Sequence, residues 1–150
     1  MDNAETIAHH NEVESTSRAD EQKIRDLIAL WHRASAAGDL RHLIPLMAED
    51  VVFLVPGHPP MRGREAFASS FQTVIQNFCI HSSCEIQEVQ IAGEWAYVWN
   101  HLSVTMTPIS AGSPKRRVGY TLSILHKTRN GSWVLARDAN LLTEERPTSG

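Results

Sequence analysis

Polar side chains interrupt an otherwise apolar stretch near the end of the chain, residues 131–142, GSWVLARDANLL. The stretch follows an Asn-Gly turn signal and is apolar enough to form a buried strand. Arg137, Asp138 and Asn140 stand where a plain core strand would carry hydrocarbon, and burying such groups without partners costs free energy. Two interpretations follow. Either Arg137 and Asp138 form a structural salt bridge, or these side chains line a cavity in which Asp138 exchanges protons with a ligand.

The sequence lacks the common motifs of metal, nucleotide and nucleophile chemistry. Its eight histidines include no His-Glu-x-x-His pattern, and the single cysteine pair, Cys79 and Cys84, has no second pair of cysteines or histidines at zinc spacing, so we predict no metal site. There is no glycine-rich dinucleotide fingerprint, no phosphate-binding loop and no Gly-x-Ser-x-Gly elbow. The two cysteines would lie on opposite faces of a strand, which disfavours a disulfide. We therefore expect a pocket that needs no cofactor.

Composition and charge narrow the class of protein. The chain has 150 residues, of which 42% are hydrophobic and 21% charged, as expected for one globular domain. The net charge is -3, and the only basic cluster is Lys115, Arg116 and Arg117, which favours a solvated loop. This balance argues against a nucleic-acid partner. No stretch is apolar enough to span a membrane, and the N-terminus lacks a signal-peptide pattern. These features predict a cytoplasmic protein with neither nucleic acid nor membrane as a partner.

The first part of the chain predicts helices. Residues 1–19 are polar and are predicted to be a flexible leader. From Asp20, apolar residues recur at helical spacing, with Asp20 as a candidate N-cap. Gly38 is expected to end this helix, and Asp39 to cap a second one that Pro45 keeps short.

The rest of the chain predicts one more helix and a sheet. Residues 51–55, VVFLV, read as a buried strand before a proline-rich loop, and a third helix is predicted from Arg64 to about Asn77. Residues 143–150 are predicted to be a flexible tail. Helices followed by strands predict an α+β fold, with three helices on a curved, mostly antiparallel sheet. The four long strands are predicted at about 80–91, 94–107, 116–127 and 132–142.

A family resemblance rests on the frame AAGDLRHLIPLMAEDVVFLVPGHPPMRGREAF, a long helix before it and the closing strand GSWVLARDANLL. Together they resemble the nuclear transport factor 2-like superfamily, in its SnoaL-like and ketosteroid isomerase-like branch, over about residues 20–142. The RDANLL ending is similar to small proteins of this fold associated with enediyne biosynthesis. The resemblance implies a cone-shaped, cystatin-like roll with a cavity between the concave sheet and the helices.

The resemblance also bears on catalysis. Isomerases of this fold use an aspartate base on the first strand, and a tyrosine and a protonated aspartic acid as hydrogen-bond donors. Aligned on shared turns, this chain has Val55 at the base, Trp31 at the tyrosine and Ser123 at the aspartic acid. Valine cannot accept a proton, so the catalytic residues of ketosteroid isomerase are not retained.

The same alignment suggests which side chains face the cavity. Alternation supports each set, because members differ by two positions, but it leaves the phase open. A one-residue slip or a bulge would substitute Val118, Tyr120, Leu122 and Arg137. The aligned set is Tyr97, Trp99, His101, Thr121, Ser123, Ala136, Asp138 and Asn140.

Several of these residues have two interpretations. Trp31 is either a wall of the pocket or an indole donor to the ligand. His101 is either a satisfied polar residue on the sheet or a general base. His58 is either an exposed loop residue or part of the cavity mouth.

Three classes of function remain. The first is a cofactor-free acid–base enzyme of isomerase, cyclase or dehydratase type, with Asp138 or His101 moving protons on an apolar cyclic or polyketide-like substrate. The second is a binding module for such a molecule, and the third is an interaction domain. Two predicted strands carry apolar residues on both faces, and many members of the resembling family pair through the outer sheet face. We therefore also expect a homodimer.

Overall fold

The computed structural model describes residues 3–145, so residues 1–2 of the predicted leader and 146–150 of the predicted tail lie outside it. It has three helices and a seven-stranded mixed sheet, which confirms the predicted α+β fold. The helices are α1 (Asn3–Ala36), α2 (Leu40–Leu43), which runs into a 3-10 turn (Ile44–Leu46), and α3 (Arg64–Asn77). The strands are β1 (Met47–Leu54), β2 (Met61–Arg62), β3 (Phe78–Ala92), β4 (Trp95–Pro108), β5 (Lys115–Lys127), β6 (Trp133–Asn140) and β7 (Thr143–Glu144).

Helix α1 begins at Asn3 and runs through the segment predicted to be a leader. No glycine or proline occurs before Gly38, so nothing in the backbone ends the helix earlier. Asp20 is therefore not an N-cap. Its buried carboxylate accepts hydrogen bonds from Lys127 Nζ at 2.9 Å and Trp133 Nε1 at 3.0 Å, which tie α1 to β5 and β6. Burial alone would raise the pKa of Asp20, but these bonds outweigh it and lower the pKa.

The turn into α2 follows the sequence prediction. Gly38 adopts a positive φ of 67°, and Asp39 Oδ1 accepts the backbone N–H of His42 at 3.3 Å as an N-cap. Pro45 then falls in the 3-10 turn, so the helix is short.

The strand order is β2-β1-β6-β5-β4-β3, with β7 paired to β5. Neighbours are antiparallel except β1 and β6, which run parallel. The helical segment and three long strands between them supply the long connection that a parallel pair needs. The last predicted strand ends at Asn140 rather than residue 142, and β7 follows inside the predicted tail. Cys79 and Cys84 on β3 are free thiols.

A bulge in β6 sets which of its residues face the helices. Leu125 of β5 pairs with Leu135, whereas Ile124 pairs with Arg137, so Ala136 is the extra residue. The extra residue reverses the alternation along β6. Leu135 before it and Asp138 after it therefore point to the same side of the sheet.

The core lies between the concave face of the sheet and the helices. One cluster packs α1 residues Ile24 and Ile28 against Val98, Leu125 and Trp133 of the sheet. Burial of this apolar surface holds α1 across the sheet. Within residues 3–145, none of the helices combines the length and apolar character needed to cross a bilayer.

Candidate functional site

A cavity of about 260 Å³ lies between the concave face of the sheet and helices α1 and α3. Most of the residues that line it are apolar. The polar exceptions come from α1 and from three adjacent strands, β4, β5 and β6. They are His32, Asn100, Thr121, Ser123, Asp138 and Asn140.

Three aromatic rings from three elements form one wall of the cavity. Trp31 projects from α1, Phe53 from β1 and Phe67 from α3. The ring centroids of Phe53 and Phe67 are 5.1 Å apart, and those of Trp31 and Phe67 are 5.3 Å apart. Contacts at these distances stabilise aromatic pairs and fix the rings in place. Phe53 is also the register partner of Asp138, so the aromatic wall adjoins the carboxyl group.

The polar groups on the sheet form two neighbouring rows. Ser123 lies opposite Asp138 across β5 and β6, and Thr121 lies opposite Asn140. On the other side of β5, Asn100 lies opposite Thr121. Residues two apart on a strand share a face, so both rows point into the cavity.

Asp138 is the ionisable group of the row that it forms with Ser123. Its Oδ1 accepts a hydrogen bond from Ser123 Oγ at 2.6 Å. Although the side chain touches the cavity, protein surrounds it, and this burial raises the pKa of Asp138 to about 6 against the lowering effect of the Ser123 bond. A carboxyl group with such a pKa exchanges protons readily near neutral pH.

Arg137 does not pair with Asp138. It lies on the opposite, exposed face of β6, where its Nη1 donates to the backbone oxygens of Asp50 at 2.9 Å and Ala136 at 2.7 Å. Its Nη2 is 3.9 Å from the Asp50 carboxylate. The structural salt-bridge interpretation of Asp138 is therefore wrong.

Asn100, in the row with Thr121 and Asn140, has a side-chain oxygen without a hydrogen-bond partner in residues 3–145. The side chain is only 4% exposed, and its Nδ2 donates a long hydrogen bond, 3.4 Å, to Thr121 Oγ1. Its Oδ1 is buried and has no partner within residues 3–145. An unpaired buried acceptor costs about 1–3 kcal/mol. The side chain of Asn140, in contrast, is fixed because its Oδ1 accepts the Leu142 N–H at 2.8 Å.

His32 faces the cavity from α1, and its Nδ1 lies 3.2 Å from Ser82 Oγ on β3. Burial lowers the pKa of His32, so the imidazole is neutral at pH 7. A neutral imidazole has one N–H donor and one acceptor nitrogen. Our sequence interpretation missed this residue, although it lies four positions after the buried Ile28 and so on the same helix face.

The structure brings five of the ligand-site candidates to the cavity wall. Thr121, from the wider aligned set, joins them, whereas Ala136 is buried in the bulge and does not line the cavity. The five are Trp31, Val55, Ser123, Asp138 and Asn140.

The predicted phase of β4 is wrong. Tyr97, Trp99 and His101 lie on the outer face, because pairing with β5 sets Asn100 opposite Thr121 and turns the even-numbered residues inward. Tyr120 also lies outside, with its ring centroid 5.9 Å from Trp99 and 5.2 Å from His101. His101 therefore cannot act as a base in the cavity.

His58 is not part of the cavity wall either. It is exposed in the loop between β1 and β2, where its backbone N–H donates to Val55 O at 3.2 Å and closes a turn. Elsewhere in residues 3–145, no group of three or more His, Cys, Asp or Glu side chains is placed to hold a metal ion.

Comparison with known proteins identifies the domain type. The family model of the SnoaL-like domain matches residues 28–136. A conserved protein from Planctomyces limnophilus is 37% identical and superposes with a TM-score of 0.82, over 85% of this chain and 99% of that one. A ketosteroid isomerase-like protein from Erwinia carotovora atroseptica is 26% identical, with a TM-score of 0.71 over 83% and 95% of the two chains. No curated protein matches the chain at a significant level.

A more distant structure shares the fold alone. A hexachlorocyclohexane dehydrochlorinase is 11% identical, with a TM-score of 0.76 over 91% of this chain and 99% of that one. The fold is the cystatin-like one of nuclear transport factor 2-like proteins, whose members include isomerases and dehydratases. The association with enediyne biosynthesis stays a prediction.

Proposed function

Because the chain belongs to the SnoaL-like family, we propose that its cavity is the active site of a cofactor-independent acid–base enzyme of isomerase, cyclase or dehydratase type. Its substrate is a small, apolar, cyclic or polyketide-like compound. The observation that carries the proposal is Asp138, a carboxyl group with a pKa of about 6 in a largely apolar cavity. Perturbed carboxyl groups in such cavities are typical of proton-transfer sites.

Asp138 acts as the base and returns the proton as the acid. At pH 7 a group with a pKa of about 6 is ionised roughly ten to one, yet it is more basic than an ordinary aspartate. It takes a proton from a carbon next to a carbonyl group and gives it back at another position of the same molecule. The bond from Ser123 orients one carboxylate oxygen, while the other receives no hydrogen bond from residues 3–145.

The other lining residues position the substrate. The rings of Trp31, Phe53 and Phe67 contact an apolar ring and exclude water, and the neutral His32 and Thr121 offer hydrogen bonds to its oxygen atoms. A volume of about 260 Å³ is slightly below the usual range for drug-sized ligands, about 300–1,000 Å³. A substrate of one or two rings fits this space.

Proton exchange tests the proposal without knowledge of the natural substrate. β-Tetralone and cyclohex-3-enone are incubated with the protein in heavy water, and deuterium incorporation next to the carbonyl group is followed by NMR. We expect exchange above the buffer rate with the parent protein and a loss of at least about a hundredfold with Asp138→Asn, the scale of general-base catalysis. A variant that retains the parent rate would refute the role of Asp138.

A second candidate function is a binding module without turnover. The mostly apolar lining and the valine at the isomerase base position, Val55, favour it. Saturable binding of both ketones with no exchange by the parent protein would support this function and reject the enzyme.

We also propose that a second copy of the chain covers the outer sheet face. The helices pack on the concave side, which leaves Trp95 51%, Tyr97 41%, Tyr120 51% and Leu122 42% exposed on adjacent strands. A contiguous apolar patch of this kind marks an interface, and a twofold dimer lets one patch cover another. Light scattering should return twice the chain mass, and Leu122→Asp should return the monomer mass with an unchanged circular dichroism spectrum. A parent protein that stays monomeric at all concentrations would contradict this proposal.

A further inference from the structure

Asn100 stands out among the inward residues of β4 as the one polar side chain between Val98 and Leu102. The residue lines the cavity and is 4% exposed, and its Oδ1 is buried without a partner in the described part of the chain. A leucine of similar size would fill the position without leaving a polar atom unpaired. Packing against the strand therefore gives no reason for an amide here.

The contact with Thr121 does not explain the amide either. The bond from Asn100 Nδ2 to Thr121 Oγ1 is 3.4 Å long, at the weak end of the hydrogen-bond range. It also uses the nitrogen end of the amide and leaves the oxygen end without a partner in residues 3–145. A polar atom is therefore left unsatisfied on a residue that lines the cavity.

The position of Asn100 relative to Asp138 limits the shape of that molecule. The two residues lie on β4 and β6, separated by β5, and in neighbouring rows. Two strand spacings of about 4.8 Å separate them across the sheet, and one step of about 6.8 Å between residues on the same face separates them along it. The Cα atoms of Asn100 and Asp138 are therefore roughly 12 Å apart. Both side chains extend into the cavity, so a ligand of one or two rings can contact both.

We infer that Asn100 is a specificity-determining residue whose Oδ1 accepts a hydrogen bond from a hydroxyl group of the ligand. The cavity then selects a compact ring compound with a hydroxyl group at the end remote from the carbon that faces Asp138. This inference rests on the proposed function, because it takes the cavity to be a ligand site. A site built to pair with a hydroxyl group discriminates strongly against analogues that lack it.

The test compares three ring compounds of the same skeleton by equilibrium dialysis. β-Naphthol donates a hydrogen bond, β-methoxynaphthalene only accepts one, and β-methylnaphthalene does neither. We expect the parent protein to bind β-naphthol about tenfold more tightly than the other two, a ratio equivalent to about 1.4 kcal/mol. In Asn100→Leu the preference should fall to within about twofold.

Two further variants keep the result unambiguous. Asn100→Val, whose side chain suits a strand, repeats the measurement if the leucine variant fails to fold. Thr107→Val makes a polar-to-apolar change on the same strand at an exposed position that does not line the cavity, and it should keep the preference of the parent protein.

The inference is overturned by a preference that survives in Asn100→Leu or by tighter binding of β-methoxynaphthalene. It is also overturned if the parent protein binds none of the three compounds. Measuring the same three affinities in Asp138→Asn separates this inference from the proposed function. If the preference for β-naphthol is lost in Asp138→Asn but kept in Asn100→Leu, the hydroxyl group binds to Asp138. Because the readout is binding, an absence of proton exchange affects the proposed function alone.

Discussion

Replacing Asp138 by asparagine is predicted to stabilise the protein, and to do so more at high pH than at low pH. The amide keeps the shape of the carboxyl group and can still accept the hydrogen bond from Ser123 Oγ. It removes a group whose charged form is disfavoured by burial. A residue placed for function commonly costs stability, so its removal is expected to raise the free energy of unfolding.

The direction with pH follows from the pKa of Asp138 in the two states. The pKa rises from 3.8 to about 6 on folding because burial disfavours the carboxylate. Between these values the folded state binds more protons than the unfolded state, so this group makes the protein less stable as the pH rises from about 4 to above 6. The full effect of the shift is about 3 kcal/mol, and access of cavity water to the carboxyl group reduces it. We expect the advantage of Asp138→Asn to grow by about 2 kcal/mol between pH 4 and pH 8.

Urea unfolding at both pH values measures this difference. Val55→Ala is the matched control, because it alters the wall of the same cavity and leaves every ionisable group in place. Its free-energy difference from the parent protein should be the same at pH 4 and pH 8. A pH-independent difference for Asp138→Asn, or one that shrinks as the pH rises, would refute the assignment of a buried, high-pKa carboxyl group.

Two further predictions concern the hydrogen bonds of buried carboxylates. Ser123→Ala removes the hydrogen bond that lowers the pKa of Asp138. A carbon NMR titration of the Asp138 carboxyl group in this variant should therefore have a midpoint above the value of about 6 in the parent protein. An unchanged or lower midpoint would count against the role of the bond. Lys127→Met leaves Asp20 buried without its cation and should lower the free energy of unfolding by about 2–3 kcal/mol. Lys115→Met, at the exposed start of the same strand, is the control and should change it by less than about 0.5 kcal/mol. Equal effects of the two variants would contradict the role of the buried pair.

Elements with a clear apolar period could be predicted from the sequence. The bounds predicted for α3, Arg64 to about Asn77, match the structure because its apolar residues recur at helical spacing and Gly63 precedes it. The long strands were predicted to within a few residues, since turn signals separate them. The start of α1 was not predicted. The polar segment before Asp20 has residues compatible with a helix, but its sequence has no apolar face that would indicate one.

The inward face of β4 could not be predicted from alternation. Ala96, Val98 and Leu102 on one face compete with Tyr97 and Trp99 on the other, so both faces appear suited to burial. Pairing with β5 decides between them, and that information lies in the fold. The one available signal was a polar residue in an otherwise apolar alternating set, which would have drawn attention to residue 100.

Asp138 was predicted for a partly different reason from the one that the structure shows. The family alignment placed it inward, on one face with Ala136 and Asn140, without a bulge. The structure places it inward because the bulge at Ala136 resets the phase of β6, so that Leu135 shares its face. The sequence could not show whether Asp138 pairs with Arg137 or faces the cavity unpaired with a cation. That depends on the orientation of Arg137, which its hydrogen bonds to the backbone oxygens of Asp50 and Ala136 determine.

The central claim is that Asp138 transfers protons to and from a ligand in this cavity, and the pH dependence of deuterium exchange into β-tetralone tests it most directly. If the Asp138 carboxylate is the base, the exchange rate should rise with pH, pass an inflection near its pKa of about 6 and level off above pH 7. The inflection should disappear in Asp138→Asn. A parent rate that only follows the buffer, rising tenfold per pH unit without a plateau, or an inflection that persists in the variant, would contradict the claim.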